Sequence, residues 1–197
     1  MTAQVRPQTG PDVWTAGGPW RFTREPLVTG PAADSLYKLY RRAFDPLRPR
    51  AAARQVLSER EFKEEMADER IDKYLAWEDE VAPVGVITLT RELEAIPWIS
   101  PDYYAACYPD HWARNAIYYL GYILISPAVR RTGFLETVTR LLVKPMVAER
   151  AVLVYDVCSY NDQVLGFSKL IAEMSKRWSN SQPRELDYQV YYGVDFA

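Results

Sequence analysis

The sequence predicts an α+β domain, α/β-like in part, with one mixed central sheet of about six to seven strands flanked by helices. Three observations carry this reading. Residues 117–125, IYYLGYILI, form an apolar run without alternation, as does AVLVYDVCSY at 151–160, and a strand buried on both faces reads that way. Between them Phe134, Leu135, Val138, Leu141 and Leu142 recur at three- and four-residue steps, the stripe of an amphipathic helix. A strand, a helix and a second strand in that order make a right-handed crossover, so the two strands lie parallel and adjacent.

The remaining elements follow in chain order. Residues 1–19 hold Pro7, Pro11, Pro19, Gly10, Gly17 and Gly18, which predict an irregular arm ahead of a single domain over 20–197. WRFTREPLVT alternates weakly, like a first edge strand. Asp34 or Ser35 can cap a helix carrying Leu36, Leu39, Tyr40 and Phe44 on one face. After a Pro- and Arg-containing linker, Ser58 with Glu61 three residues on makes a capping box for a helix over 59–68. KYLAWEDEVAPVGVITLTRE reads as two strands joined by a turn at Asp79–Pro83.

Residues 93–116 read as an insertion, with three prolines, two tryptophans, three tyrosines, Cys107 and the single histidine, His111. A connection so long and aromatic is a cover or a pocket wall. Pro145 has no N–H to give the carbonyl of Leu141, so the helix after the central strand kinks or restarts there. Asn161 is a candidate N-cap for a helix with Val164, Phe167, Leu170, Ile171 and Met174 on one face. ELDYQVYYGVDF, rich in Tyr and Val, predicts a terminal strand.

Composition excludes several classes. A 48% hydrophobic content is that of a folded chain rather than a disordered one. The net charge of -2 lacks the clustered cations that nucleic acid demands. Cys107 and Cys158 fit no metal-ligand spacing and are too few for a disulfide scaffold, so the expected location is cytoplasmic. The apolar run at 116–125 is too short to span about 30 Å of hydrocarbon, so no membrane partner is expected. Glycine-rich phosphate loops, a G-x-S-x-G elbow and H-E-x-x-H are absent, and one histidine cannot build a multi-histidine metal centre.

The turn after the central strand holds Pro127, Arg130, Arg131 and Gly133 and opens the next helix, whose first N–H groups are free to meet an anion. That spacing resembles the acyl-CoA-binding motif of the GCN5-related N-acetyltransferase (GNAT) superfamily, whose turn reads Gln/Arg-x-x-Gly-x-Gly/Ala. Arg130 takes the first place and Gly133 the second. Leu135 stands at the third, a departure from the family pattern. The element order over about residues 20–196 looks like the family's as well. In that family the strand before the turn splays from its parallel neighbour, pantetheine lies in the opening, and the pyrophosphate sits on the turn's amides.

The resemblance implies an N-acyltransferase moving an acyl group, acetyl foremost, from CoA to an amine of a small molecule or peptide by direct attack. Acetyl-CoA or another acyl-CoA is then the cosubstrate, with no metal, and an acyl carrier protein is an alternative donor. A non-catalytic module that binds acyl-CoA or a protein partner is the second reading. Ile123, Ile125, Arg130, Arg131, Thr132, Gly133, Phe134 and Leu135 would line the cosubstrate site. Asn161 would touch pantetheine, and Ser168 stands where the family often has a Tyr that protonates the thiolate.

Transfer to an amine needs the free base, and an alkyl ammonium of pKa about 10.4 is neutral in only about 10⁻³ to 10⁻⁴ of molecules near pH 7. The central strand carries no carboxylate. Candidate bases are therefore His111 beside Asp110, or Glu78, Asp79 and Glu80 at the hairpin tip. Tyr118 is the catalytic candidate on the strand itself. Strict alternation puts Tyr118 and Tyr122 on one face and Tyr119 on the other, while Gly121 can mark a bulge.

Overall fold

The computed structural model describes residues 12–15, 21–53, 56–78, 82–127, 134–176 and 179–196. Their backbone forms one six-stranded sheet in the order β1-β2-β3-β4-β5-β6. The strands are β1 (Asp12–Thr15), β2 (Arg21–Glu25), β3 (Asp72–Trp77), β4 (Pro83–Thr90), β5 (Ile117–Ile125) and β6 (Val152–Val154). The first four pairings are antiparallel and β5 with β6 is parallel, the arrangement the crossover required.

Helices cover both faces. α1 (Gly30–Phe44) and α2 (Glu59–Ala67) bury Leu36, Tyr40, Phe62 and Met66 against Leu75, Val86 and Leu124. α5 (Phe134–Ala148) and α6 (Phe167–Lys176) bury Val138, Met146, Ile171 and Met174 against Phe22, Ala76, Ile87, Leu89 and Leu120. Each fully covered Leu, Phe or Met contributes about 1.5–3 kcal/mol, so the helices are held by these faces rather than by propensity. Residues 93–116 contain α3 (Pro101–Cys107) and α4 (Pro109–Ala113), which roof a third cluster of Ile71, Leu93, Ile96, Ile117, Tyr119 and Val154. Among the described residues no helix is long and apolar enough to cross a membrane.

The Ser58–Glu61 capping box forms as expected: Ser58 N–H donates to Glu61 Oε2 at 2.8 Å and Glu61 N–H to Ser58 Oγ at 3.3 Å. Other expectations are corrected. The arm contains β1, an edge strand whose ladder with β2 overrides the surrounding Gly and Pro punctuation. α1 begins after Thr29, whose side chain makes no cap hydrogen bond, with Pro31 in its first turn, earlier than a start at Asp34 or Ser35, because proline's fixed φ suits that position. α5 is continuous through Pro145, so no new helix starts there. Asn161 does not cap the last helix: it lies in a π-turn over Tyr160–Val164, and Asp162 Oδ1 accepts Ser168 N–H at 3.1 Å. ELDYQVYYGVDF forms no strand, having no described ladder partner, and strand propensity without pairing does not hold extended backbone in place.

One irregularity governs the centre. Ile87 pairs with Ile123 and Leu89 with Leu120, so two residues of β5, Gly121 and Tyr122, oppose the single Thr88 of β4. Thr88 Oγ1 closes this bulge by accepting Tyr122 N–H at 3.2 Å. The extra residue also reverses the alternation: Tyr118 faces the α5–α6 layer, whereas Tyr119 and Tyr122 both face the opposite side. The expectation that Tyr118 and Tyr122 share a face fails for this reason. A Cβ on Gly121 would sit well inside van der Waals contact of Thr88 Oγ1 and 3.6 Å from its Cβ. Thr88 is buried and β-branched, with little freedom to yield. Gly121→Ala should therefore cost about 1–3 kcal/mol of stability, measured as a lowered denaturant midpoint.

Candidate active site

β5 runs for nine residues, but β6 offers it only three partners, at Ile117, Tyr118 and Tyr119. Beyond Tyr119 the two strands part. The opening is lined by Gly121, Tyr122 and Ile123 on one wall and by Tyr155, Asp156 and Cys158 on the other. The divergence follows from the sequence on both sides. The bulge turns β5 away from the regular ladder, and the chain after Val154 leaves the sheet for the π-turn, where Asp162 N–H donates to Cys158 O at 3.0 Å.

At the far wall of the opening Tyr155 packs edge-on to Phe167, ring centres 5.6 Å apart. Its hydroxyl lies 3.3 Å from Ser168 Oγ, and burial raises its pKa further above the phenol range, so it stays protonated near neutral pH. Ser168 thus brings a tyrosine hydroxyl with it from a different element. Spacing could not reveal Tyr155, because the pair is made by the return of α6 onto the strand end.

On the α1–α2 side the bulge meets a carboxyl group. Glu65 Oε1 would be 3.9 Å from a Cβ at Gly121, and Glu65 lines the same opening as Thr88 and Tyr122. Part of its surface stays open to the cleft, yet burial pushes its pKa up to about 7. The nearest cation, Lys73, is buried on β3 and donates to two backbone carbonyls, Pro26 O at 2.8 Å and Asp68 O at 2.6 Å. Its own burial draws its pKa down to about 8. Glu65 went unnoticed in the sequence, although a signal was present. It follows Phe62 by three and precedes Met66, so it falls on the buried stripe of α2 rather than its solvated face.

Around the bulge the rings of Tyr40, Phe44 and Phe62 stand 5.5, 5.8 and 6.4 Å from that of Tyr122. Tyr40 is anchored by accepting Leu57 N–H at 3.0 Å. The Tyr122 hydroxyl is buried and finds no hydrogen-bond partner among the described residues.

Of the expected catalytic residues, His111 and Ser168 line the same broad cavity as Gly121, whereas Tyr118 does not. His111 lies in α4, its ring edge-on to Tyr108 at 5.9 Å and its carbonyl accepting Ala116 N–H at 2.9 Å. That is the end of β5 where the strands are still paired, and no described contact joins His111 to the bulge. The Tyr118 hydroxyl is spent in a cluster on the other face of the sheet. It donates to Glu149 Oε2 at 2.7 Å and accepts from Arg91, whose guanidinium also grips Glu149 through bonds of 2.7 and 2.9 Å. Of the hairpin-tip carboxylates, Asp79 and Glu80 lie outside the described residues, as do Arg130, Arg131, Thr132 and Gly133. Phe134 and Leu135 begin α5, and Ile123 and Ile125 pack in the layer under α5 and α6. Asn161 lines the opening from the π-turn.

No family model matches the chain, and no curated protein matches it. Solved structures do resemble it. The ribosomal-protein-alanine N-acetyltransferase from Brucella melitensis biovar Abortus 2308 superposes with a TM-score of 0.51 at 12% identity, over 88% of this chain and 99% of that one. An integron cassette protein from the mobile metagenome of V. cholerae gives 0.50 at 15% identity, over 90% and 94%. A GCN5-related N-acetyltransferase from Ralstonia eutropha gives 0.46 at 15%, over 87% and 98%. The chain therefore has the GNAT fold, with the mixed sheet and helical layers that the first of these shares.

Two measurements test the electrostatics. The Tyr122 hydroxyl costs its desolvation without a compensating bond, so Tyr122→Phe should raise stability by roughly 1 kcal/mol in a denaturant titration. The folded state holds the Glu65 proton more tightly than the unfolded chain, whose carboxyl titrates near 4.5. Stability contributed by this group is therefore present at low pH and lost as pH rises toward about 7. Glu65→Gln should remove that loss, so the variant's advantage over the wild type grows between about pH 5 and pH 8.

Proposed function

We propose that the protein is an N-acyltransferase that moves an acyl group, acetyl foremost, from acyl-CoA to an amine of a small molecule or peptide in one direct step. The observation that supports this best is the parting of β5 from β6 immediately beside a glycine bulge. An extended thioester arm fits a slot between two strands because the unpaired edge of each offers it backbone groups. Arg130, Arg131, Thr132 and Gly133, ahead of α5, are assigned to the diphosphate, where guanidinium groups and free helix amides favour an anion. Asn161 is assigned to the pantetheine arm.

In this reading the amine approaches from the α1–α2 side and attacks the thioester carbon as the C–S bond breaks. Catalysis rests on positioning and on backbone donors at the bulge rather than on a reactive nucleophile. The thiolate leaves toward the Tyr155–Ser168 pair, and the Tyr155 phenol is the group suited to give it a proton. A structural neighbour is a ribosomal-protein-alanine N-acetyltransferase, which sets amines as the first acceptors to try.

The test is thiol release from acetyl-CoA and longer acyl-CoAs against an amine panel. Release should require the amine, and Arg130→Glu should raise KM for the acyl-CoA. Tyr155→Phe should lower kcat by roughly 10² with little change in that KM. No thiol release and no thermal stabilisation by any acyl-CoA would defeat the reading.

A further inference from the structure

The last described stretch of chain is patterned as a strand and has no neighbour. From Tyr188 onward every second residue is apolar: in extended backbone Tyr188, Val190, Tyr192, Val194 and Phe196 share one side, and Gln189, Gly193 and Asp195 are on the other. All five apolar residues are exposed, Tyr192 and Phe196 by 90% and 92%. Single exposed apolar residues are ordinary, but a continuous stripe of five marks a surface that another one covers. The same molecule has an edge to match. β6 is the last strand of the sheet, and no described strand pairs with its outer side. Val152 N–H donates to Ala116 O at 2.9 Å, so Val152 and Val154 turn their backbone groups to β5, and by alternation Leu153 turns its own outward. Leu153 and Tyr155 are only partly buried there, against the layer under α5 and α6.

The tail does not lie along its own edge. It leaves the body at Leu186, which packs on the cluster holding Val154, and there Tyr103 on α3 donates to Leu186 O at 2.8 Å. The residues beyond form no ladder with β6. We propose that the tail of one copy adds as a strand to the β6 edge of a second copy, which returns its own tail, so that the chain associates as a strand-exchanged dimer. Three observations select a second copy as the occupant. The strand former and the free edge belong to one sequence, so a two-fold exchange closes on itself and leaves neither exposed. An added strand is held by main-chain bonds, and its alternate side chains then extend the apolar layer that Leu153 and Tyr155 begin. The area suffices as well. Tyr188, Tyr192 and Phe196 offer about 150–250 Å² each, so two tails with the surfaces that receive them reach the about 1,600 Å² of a standard interface.

The experiment is sedimentation equilibrium of the full chain from about 1 to about 100 µM, with backbone hydrogen exchange read at Leu153. A species of twice the chain's mass should accumulate with concentration, and exchange of the Leu153 N–H should slow in step with it. Tyr192→Lys should weaken the association roughly 10²-fold. A chain ending at Asp187 should stay monomeric with Leu153 exchanging fast, and it should keep the wild-type circular dichroism, because every described residue it loses is exposed. A full chain that stays monomeric over that range overturns the proposal, and a Leu153 protected in that monomer would show the tail closing on its own edge instead. A dimer that survives the truncation, or one in which Leu153 exchanges as in the monomer, overturns it too. None of these outcomes bears on thiol release, so the exchange and the transfer reading fail separately.

Discussion

The hydrogen bond from Tyr122 N–H to Thr88 Oγ1 is the constraint on which the centre of the molecule depends. It replaces a missing ladder bond, because the extra residue in β5 leaves one backbone donor without a partner on β4. A threonine hydroxyl can reach that donor only where the facing residue has no side chain, and Gly121 supplies that absence. From this one contact follow the bend of β5 and its separation from β6. The placing of two tyrosines on the same side of the sheet has the same origin.

The two layers of helices then divide the work. α5 and α6 close the far face, and their described side chains bring no charge to the opening, whereas α2 sends Glu65 to the bulge through a wall otherwise built of aromatic rings. The opening therefore has a carboxyl group on the α2 side and the Tyr155 phenol on the α6 side, with a glycine between.

Much of the fold was legible because its signals are local. β5 ends where Ser126 and Pro127 say it should, and Ser58 with Glu61 opens α2 by mutual hydrogen bonds that need nothing from elsewhere. The failures share the opposite character. β1 exists because β2 is beside it, Asp162 displaces Asn161 as a cap because the π-turn changes which amide is near, and the terminal stretch lacks a neighbour that its composition presumes. The site fared similarly. The central strand was visible in the sequence, while Glu65 and Tyr155 arrive from distant parts of the chain, and His111 stands at the end of β5 where the strands are still paired.

The added residue in β5 also acts as an index mark for everything after it. Were position 121 drawn into an even pleat with no bulge, each later side chain of the strand would change layers: the Tyr122 ring would turn toward α5 and α6, and Ile123 would enter the aromatic wall. The bulge thus lets two residues occupy the place of one between Leu120 and Ile123 while Tyr122 and Ile123 keep to their own sides of the sheet.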